Sequence, residues 1–170
     1  MKPEERQRLC DLAGKLLQQQ NLVAAGIAGA IAMILAAATY GIAKSLWEGI
    51  YPFYSIFAAG IGLVIGYAMQ FLGRGIQARF AVVAAIYAFI GCVLGNMLAA
   101  VMRMARATAV SPLDIVMNAT RSEWREWMFS DMHVADLMFW LIGIGAAAYF
   151  SRRPLTREEG LALYTYKASQ

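Results

Sequence analysis

The stretch LVAAGIAGAIAMILAAATYGIA, residues 22–43, decides the class of this chain. It has 22 residues and no charged side chain. Coiled into an α-helix it extends about 33 Å, enough to cross a hydrocarbon core about 30 Å thick. Lys44 follows it directly. Two more runs share this character. Residues 51–72 are uncharged, with Pro52 in the first turn, where its missing N–H costs little. Residues 80–102 are closed by Arg103. The fourth run, 132–150, is weaker. Its uninterrupted apolar part, 137–150, is 14 residues long, and reaching back to 132 takes in Asp136. Arg152 and Arg153 follow it as interfacial anchors would.

The composition agrees. Of 170 residues, 60% are hydrophobic and 15% charged, against about 25% charged in soluble domains. The sequence therefore predicts an all-α integral membrane protein. Its core is a four-transmembrane-helix bundle over residues 22–150, with spans 22–43, 51–72, 80–102 and 132–150. What lies outside the spans is too short for a separate catalytic domain.

Outside the spans the pattern changes to short helices. In residues 1–21, Leu9, Leu12, Ala13 and Leu16 recur at helical spacing and predict an amphipathic N-terminal helix. The loop 103–131 opens a helix at Ser111-Pro112-Leu113-Asp114, with a serine cap and proline at the first helical position. Later in that loop Trp124, Trp127 and Met128 fall at i, i+3 and i+4 of a second amphipathic segment, with Phe129 adjacent, an interfacial helix that caps the bundle or a platform for a partner or lipid. In the tail 151–170, Thr156-Arg157-Glu158-Glu159 is a capping-box pattern that starts another short helix.

Four spans place both tails and the loop 73–79 on one side. That side carries ten of the 15 basic residues, including Arg74, Arg79, Arg152 and Arg153. The positive-inside rule then puts both termini in the cytoplasm, and a bacterial cytoplasmic (inner) membrane is the expected location. The net charge of +4 is in this reading a topology signal, with no nucleic-acid partner implied.

Lipid removes most of the hydrophobic drive between helices, so close approach at small residues matters more. Gly29, Gly62, Gly66, Gly91, Gly95 and Gly143 lie in small-residue stripes, and Gly62/Gly66 and Gly91/Gly95 are GxxxG pairs. The stripes suit packing within one chain or association with a second. Gln70, Asn96 and Asp136 are the polar side chains in or at the edge of spans, readable as interhelical hydrogen-bonding groups or as the lining of a pore.

Chemistry is otherwise marked by exclusions. His133 is the single histidine, which rules out bis-histidine haem within one chain and HExxH metal chemistry. Asp131 and His133, two residues apart, do not share a helix face for a cation. Cys10 and Cys92 form no disulfide framework. Gly60-x-Gly62-x-x-x-Gly66 lacks the spacing and context of a nucleotide loop. No catalytic residue, metal or cofactor is expected. The function expected is that of a non-enzymatic membrane protein, a subunit, adaptor or assembly factor of a larger membrane complex. A homo-oligomeric channel or small-solute transporter is the alternative. The expected partners are the lipid bilayer and other membrane subunits, or further copies of the chain.

Overall fold

The computed structural model describes residues 3–46, 55–129 and 132–168, and the regular structure among them is entirely helical. In chain order the helices are α1 (Pro3–Gln18), α2 (Leu22–Leu46), α3 (Ser55–Gly73), α4 (Ala78–Thr108), α5 (Pro112–Asn118), α6 (Arg121–Phe129), α7 (Val134–Phe150) and α8 (Arg157–Lys167). Among the described residues, three are long and apolar enough to cross a membrane, α2, α3 and α4, with mean hydropathy 2.2, 1.8 and 2.1. Only 28–39% of their most apolar windows is buried inside the protein. Ile27, Ile31, Ile34 and Leu35 of α2 face outward, as do Leu63 and Val64 of α3 and Val82 and Ile86 of α4. Apolar surface turned out on this scale needs an apolar solvent, and these helices point to a membrane protein.

The fourth apolar helix, α7, has 17 residues and is shorter than the other three. It packs along α3 and α4, while α2 packs on α3 and α4. The sequence boundaries shift in two places. α2 runs on past Lys44 to Leu46, and α4 runs on past Arg103 to Thr108. The start of the second span, residues 51–54, lies outside the described residues.

Glycines set the crossings. A Cβ on Gly62 would overlap the Gly143 carbonyl, and one on Gly143 would press on the Ala58 carbonyl at 2.5 Å, so α3 and α7 meet backbone to backbone. One turn on in α3, a Cβ on Gly66 would stand 3.0 Å from Phe150 Cβ. The α2–α4 crossing is similar: a Cβ on Gly41 would lie 2.8 Å from the Gly95 carbonyl oxygen, and one on Gly95 would overlap the Tyr40 ring. Gly29 abuts Tyr87 and Met69, and Gly91 abuts Ile61 and Met33. All six glycines singled out in the sequence thus face a neighbouring helix of the same chain.

One end of the bundle is stitched by the backbone. Asn21 N–H donates to the Gly73 carbonyl at 3.0 Å, and Arg153 N–H donates to the Gly75 carbonyl at 2.8 Å. Gln20 Oε1 accepts from Ile76 N–H at 3.2 Å. The turn after α3 needs Arg74 at φ 46°, and a Cβ on Gly75 would collide with the Phe80 ring. On this end α1 packs against α8, burying Ala13, Leu16 and Ala162. Thr156 and Glu159 form the expected capping box at the start of α8, and Glu159 also pairs with Arg153.

Two outcomes follow from this architecture. Gly62→Ala separates α3 from α7, and thermal unfolding in detergent should show a loss of about 1–3 kcal/mol. Gly60→Ala, where a Cβ meets nothing within 4 Å, should be neutral or stabilising by up to about 1 kcal/mol. The second concerns pH. The Thr156 backbone N–H, ahead of the Arg153 charge and the Thr156 hydroxyl, holds the Glu159 carboxyl below its ordinary 4.5. The folded state therefore binds this proton more weakly than the unfolded one. The stability it gives is complete above pH 4.5 and is lost as pH falls through the lower folded-state value. Amide protection factors in α8, corrected for the intrinsic pH dependence of exchange, should fall over that acid range, and Glu159→Gln should remove most of the acid-dependent part.

Candidate functional site

At the other end of the bundle, polar side chains link the described helices. Lys44 lies in the last turn of α2, with 2% of its side chain exposed, and Asp136 lies in the first turn of α7, with 0% exposed. An ammonium and a carboxylate this far from water each need a partner. Lys44 Nζ stands 3.5 Å from Asp136 Oδ2. Its shorter contact is with a neutral group: Nζ donates to Asn96 Oδ1 at 2.6 Å. The Tyr40 ring lies one turn back on α2, with its centroid 6.0 Å from the ammonium, at the outer reach of a cation–π contact.

Asn96, from the middle of α4, is fully buried. Its Nδ2 donates to the carbonyls of Met128 at 2.9 Å and Trp127 at 3.3 Å. These carbonyls belong to the last turn of α6, where helical acceptors lack partners of their own. Asp136 is shared in the same way. Its Oδ2 accepts the His133 backbone N–H at 3.1 Å and closes a capping box at the start of α7. One carboxylate oxygen therefore serves both a helix N-terminus and a buried cation. Arg106 on α4 donates to the Ser45 carbonyl and so caps the end of α2, a cation at the helix terminus that favours one.

The cluster joins α2, α4, α6 and α7 through three side chains. Asn96 and Asp136 were singled out in the sequence, and the structure brings them together through Lys44. Gln70 is not part of the group. It lies near the end of α3, at the opposite end of the bundle, where its Nε2 donates to the Arg152 carbonyl at 3.2 Å. Lys44 itself was missed, because a charge that follows an apolar run reads as a span boundary. The signal that could have found it is periodic. Buried Ala37, Tyr40, Gly41 and Lys44 follow at three- and four-residue steps on one face of α2.

The tryptophan-rich segment turns inward. Trp127 is 4% exposed and packs with Ala100 and Val101 of α4, with Trp124 half-buried beside it at 5.6 Å between rings. Met128 is half-buried. The side chain of Phe129 and the whole of Asp131 lie outside the described residues. No group of three or more His, Cys, Asp or Glu able to hold a metal occurs among the described residues. One turn beyond Asp136, the Trp140 indole N–H is buried with no hydrogen-bond partner among the described residues.

Chemically, the site is an ion pair held in a low-dielectric interior by one amide. Removing one charge breaks a buried ion pair. Asp136→Asn should destabilise the protein by about 3–5 kcal/mol in a detergent unfolding assay, because the carboxylate that faces Lys44 and caps α7 is lost. The double variant Lys44→Met/Asp136→Asn should recover most of that loss. Comparisons of the chain with protein-family models, curated proteins and solved structures return no match.

Proposed function

We propose that this chain is a non-enzymatic membrane protein that serves as a subunit, adaptor or assembly factor of a larger membrane complex. The observation that carries the reading is the use of the interior polar groups. Lys44, Asn96 and Asp136 are spent on one another and on the carbonyls of Trp127 and Met128. Such groups fasten helices together and are not arranged around a substrate. The outward surface supports the same reading. Between α2 and α3 an apolar groove of about 240 Å³ opens outward, lined by Leu35, Ala36, Thr39, Phe57, Gly60, Ile61 and Val64. A neighbouring helix with a small-residue face fits there.

In this reading α7 is the fourth span. From Asp136 to Ser151 it rises about 22 Å, most of a hydrocarbon core, with Arg152 and Arg153 at the near interface. The termini are cytoplasmic, the membrane is the inner membrane of a bacterium, and α1 and α6 lie along its two faces as amphipathic helices.

A second reading, a homo-oligomeric channel or small-solute transporter, is favoured by one observation. A buried ion pair at one end of the apolar bundle, one turn from a buried Trp140 N–H with no hydrogen-bond partner among the described residues, is the kind of feature that marks a conduction path.

The deciding experiment is purification of tagged protein from its native host in mild detergent, with the mass of the intact particle measured. Stoichiometric foreign chains are the expected result. A discrete particle made of this chain alone, whose solute flux in liposomes changes with Asn96→Leu, would replace the subunit reading with the channel.

A further inference from the structure

Between the last turns of α3 and α7 a groove of about 430 Å³ is lined by Tyr67, Gln70, Tyr149, Phe150, Arg152 and Pro154. Its aromatic wall is preorganised. The Tyr67 ring stacks on Phe150 with centroids 4.9 Å apart, and Tyr149 meets Phe150 edge-on at 5.0 Å. Gln70 is tied by its Nε2 to the Arg152 carbonyl, which leaves its carbonyl oxygen as an acceptor.

Charge sets the rest. Arg152 is exposed, and its guanidinium is in no ion pair with a described residue. Its neighbour Arg153 is taken by Glu159. No acidic side chain lines the groove. The polar rim therefore offers five guanidinium donors, two phenol hydroxyls and one amide oxygen. The groove opens at the level where the apolar helices end. One turn deeper on the Tyr67 face of α3 is Leu63, and one and two turns deeper on the Tyr149 face of α7 are Gly145 and Ile142. Leu63 and Ile142 are 39% and 54% exposed. A Cβ on Gly145 would meet nothing within 4 Å, so the furrow continues inward without obstruction.

A ligand that fits carries an anion at one end, hydroxyl donors beside it and a long apolar tail. We propose that this groove binds an anionic phospholipid from the surrounding bilayer. Its phosphate sits on the Arg152 guanidinium, its headgroup hydroxyls on Gln70 and the tyrosines, and one acyl chain along Leu63, Gly145 and Ile142. A free phosphate fits less well, because a single exposed guanidinium holds it weakly and the apolar furrow adds nothing. The inference rests on the membrane location and is independent of the subunit reading.

The test is native mass spectrometry of the full chain in detergent, titrated with dioleoyl phosphatidylglycerol and, separately, dioleoyl phosphatidylcholine. Wild type should retain one phosphatidylglycerol in preference to phosphatidylcholine. Arg152→Gln should lower that preference by about fivefold, and Arg74→Gln, an exposed cation at the same end, should leave it unchanged. Tyr149→Leu should weaken retention while keeping every charge. A phosphatidylglycerol with a photoactivatable acyl chain should crosslink to wild-type peptides holding Leu63 and Ile142, which needs no variant. Equal retention of the two lipids would overturn the proposal. So would equal losses in Arg74→Gln and Arg152→Gln, which would mean diffuse charge alone, or displacement of the lipid by millimolar inorganic phosphate, which would mean an anion site.

Discussion

A lysine ammonium with 2% of its side chain exposed must be neutralised where it sits, and much of the architecture at one end of this bundle follows from that need. Lys44 cannot reach water without leaving the α2–α4 interface. The structure answers with a carboxylate from α7 and an amide from α4. Each answering group is itself committed elsewhere, Asp136 to the start of α7 and Asn96 to the end of α6. Moving the ammonium would therefore disturb two helix termini and the seat of a third helix. Buried pairs of this kind add little net stability compared with apolar packing, but they tolerate few alternative arrangements. Their effect here is to fix which helices meet and in what register.

The two ends of the molecule solve the same problem by different means. Where the chain turns tightly, between α3 and α4 and after α7, backbone donors and acceptors lie close enough to bond across the turn. At the other end, among the described residues, long side chains link the elements: Lys44 to Asn96, Asn96 to α6, Arg106 to Ser45. Between the ends the glycine crossings carry the load. Helix backbones that touch at Gly62/Gly143 and Gly41/Gly95 gain dispersion contacts along their length without any hydrophobic drive from lipid.

Much of this was legible in the residues. Long uncharged runs give apolar helices because the helix is the arrangement in which a single segment satisfies its own backbone hydrogen bonds without water. Gly62, Gly66, Gly91 and Gly95 stood out by spacing, and Ser111 and Thr156 by capping chemistry, and each cap is present. What was hidden depends on partners distant in the chain. Asn96 lies 52 residues from Lys44 and Asp136 lies 92, and no local pattern couples them. Gln70 and Asn96 look equivalent as lone amides in apolar helices, yet α3 and α4 run in opposite directions and carry them to opposite ends. The Trp124/Trp127 face read as a bundle cap at the interface or a partner platform, because its spacing is that of any one-sided helix. Its neighbours Ala100 and Val101 on α4 are distant in the chain, and no local pattern names them.

The partners of Asn96 also explain why an asparagine, and not a second charge, sits at the centre of the cluster. Asn96 has to accept from an ammonium and donate to carbonyls at the same time. A carboxylate accepts only, a lysine or arginine donates only, and an amide does both without net charge. With Asp136 already balancing Lys44, a second acid would leave an excess negative charge in the interior and abandon the α6 carbonyls. A second base would crowd two cations. The neutral amide has one acceptor oxygen for the ammonium and two N–H donors for the two carbonyls at the end of α6, where a hydroxyl of similar size has one donor.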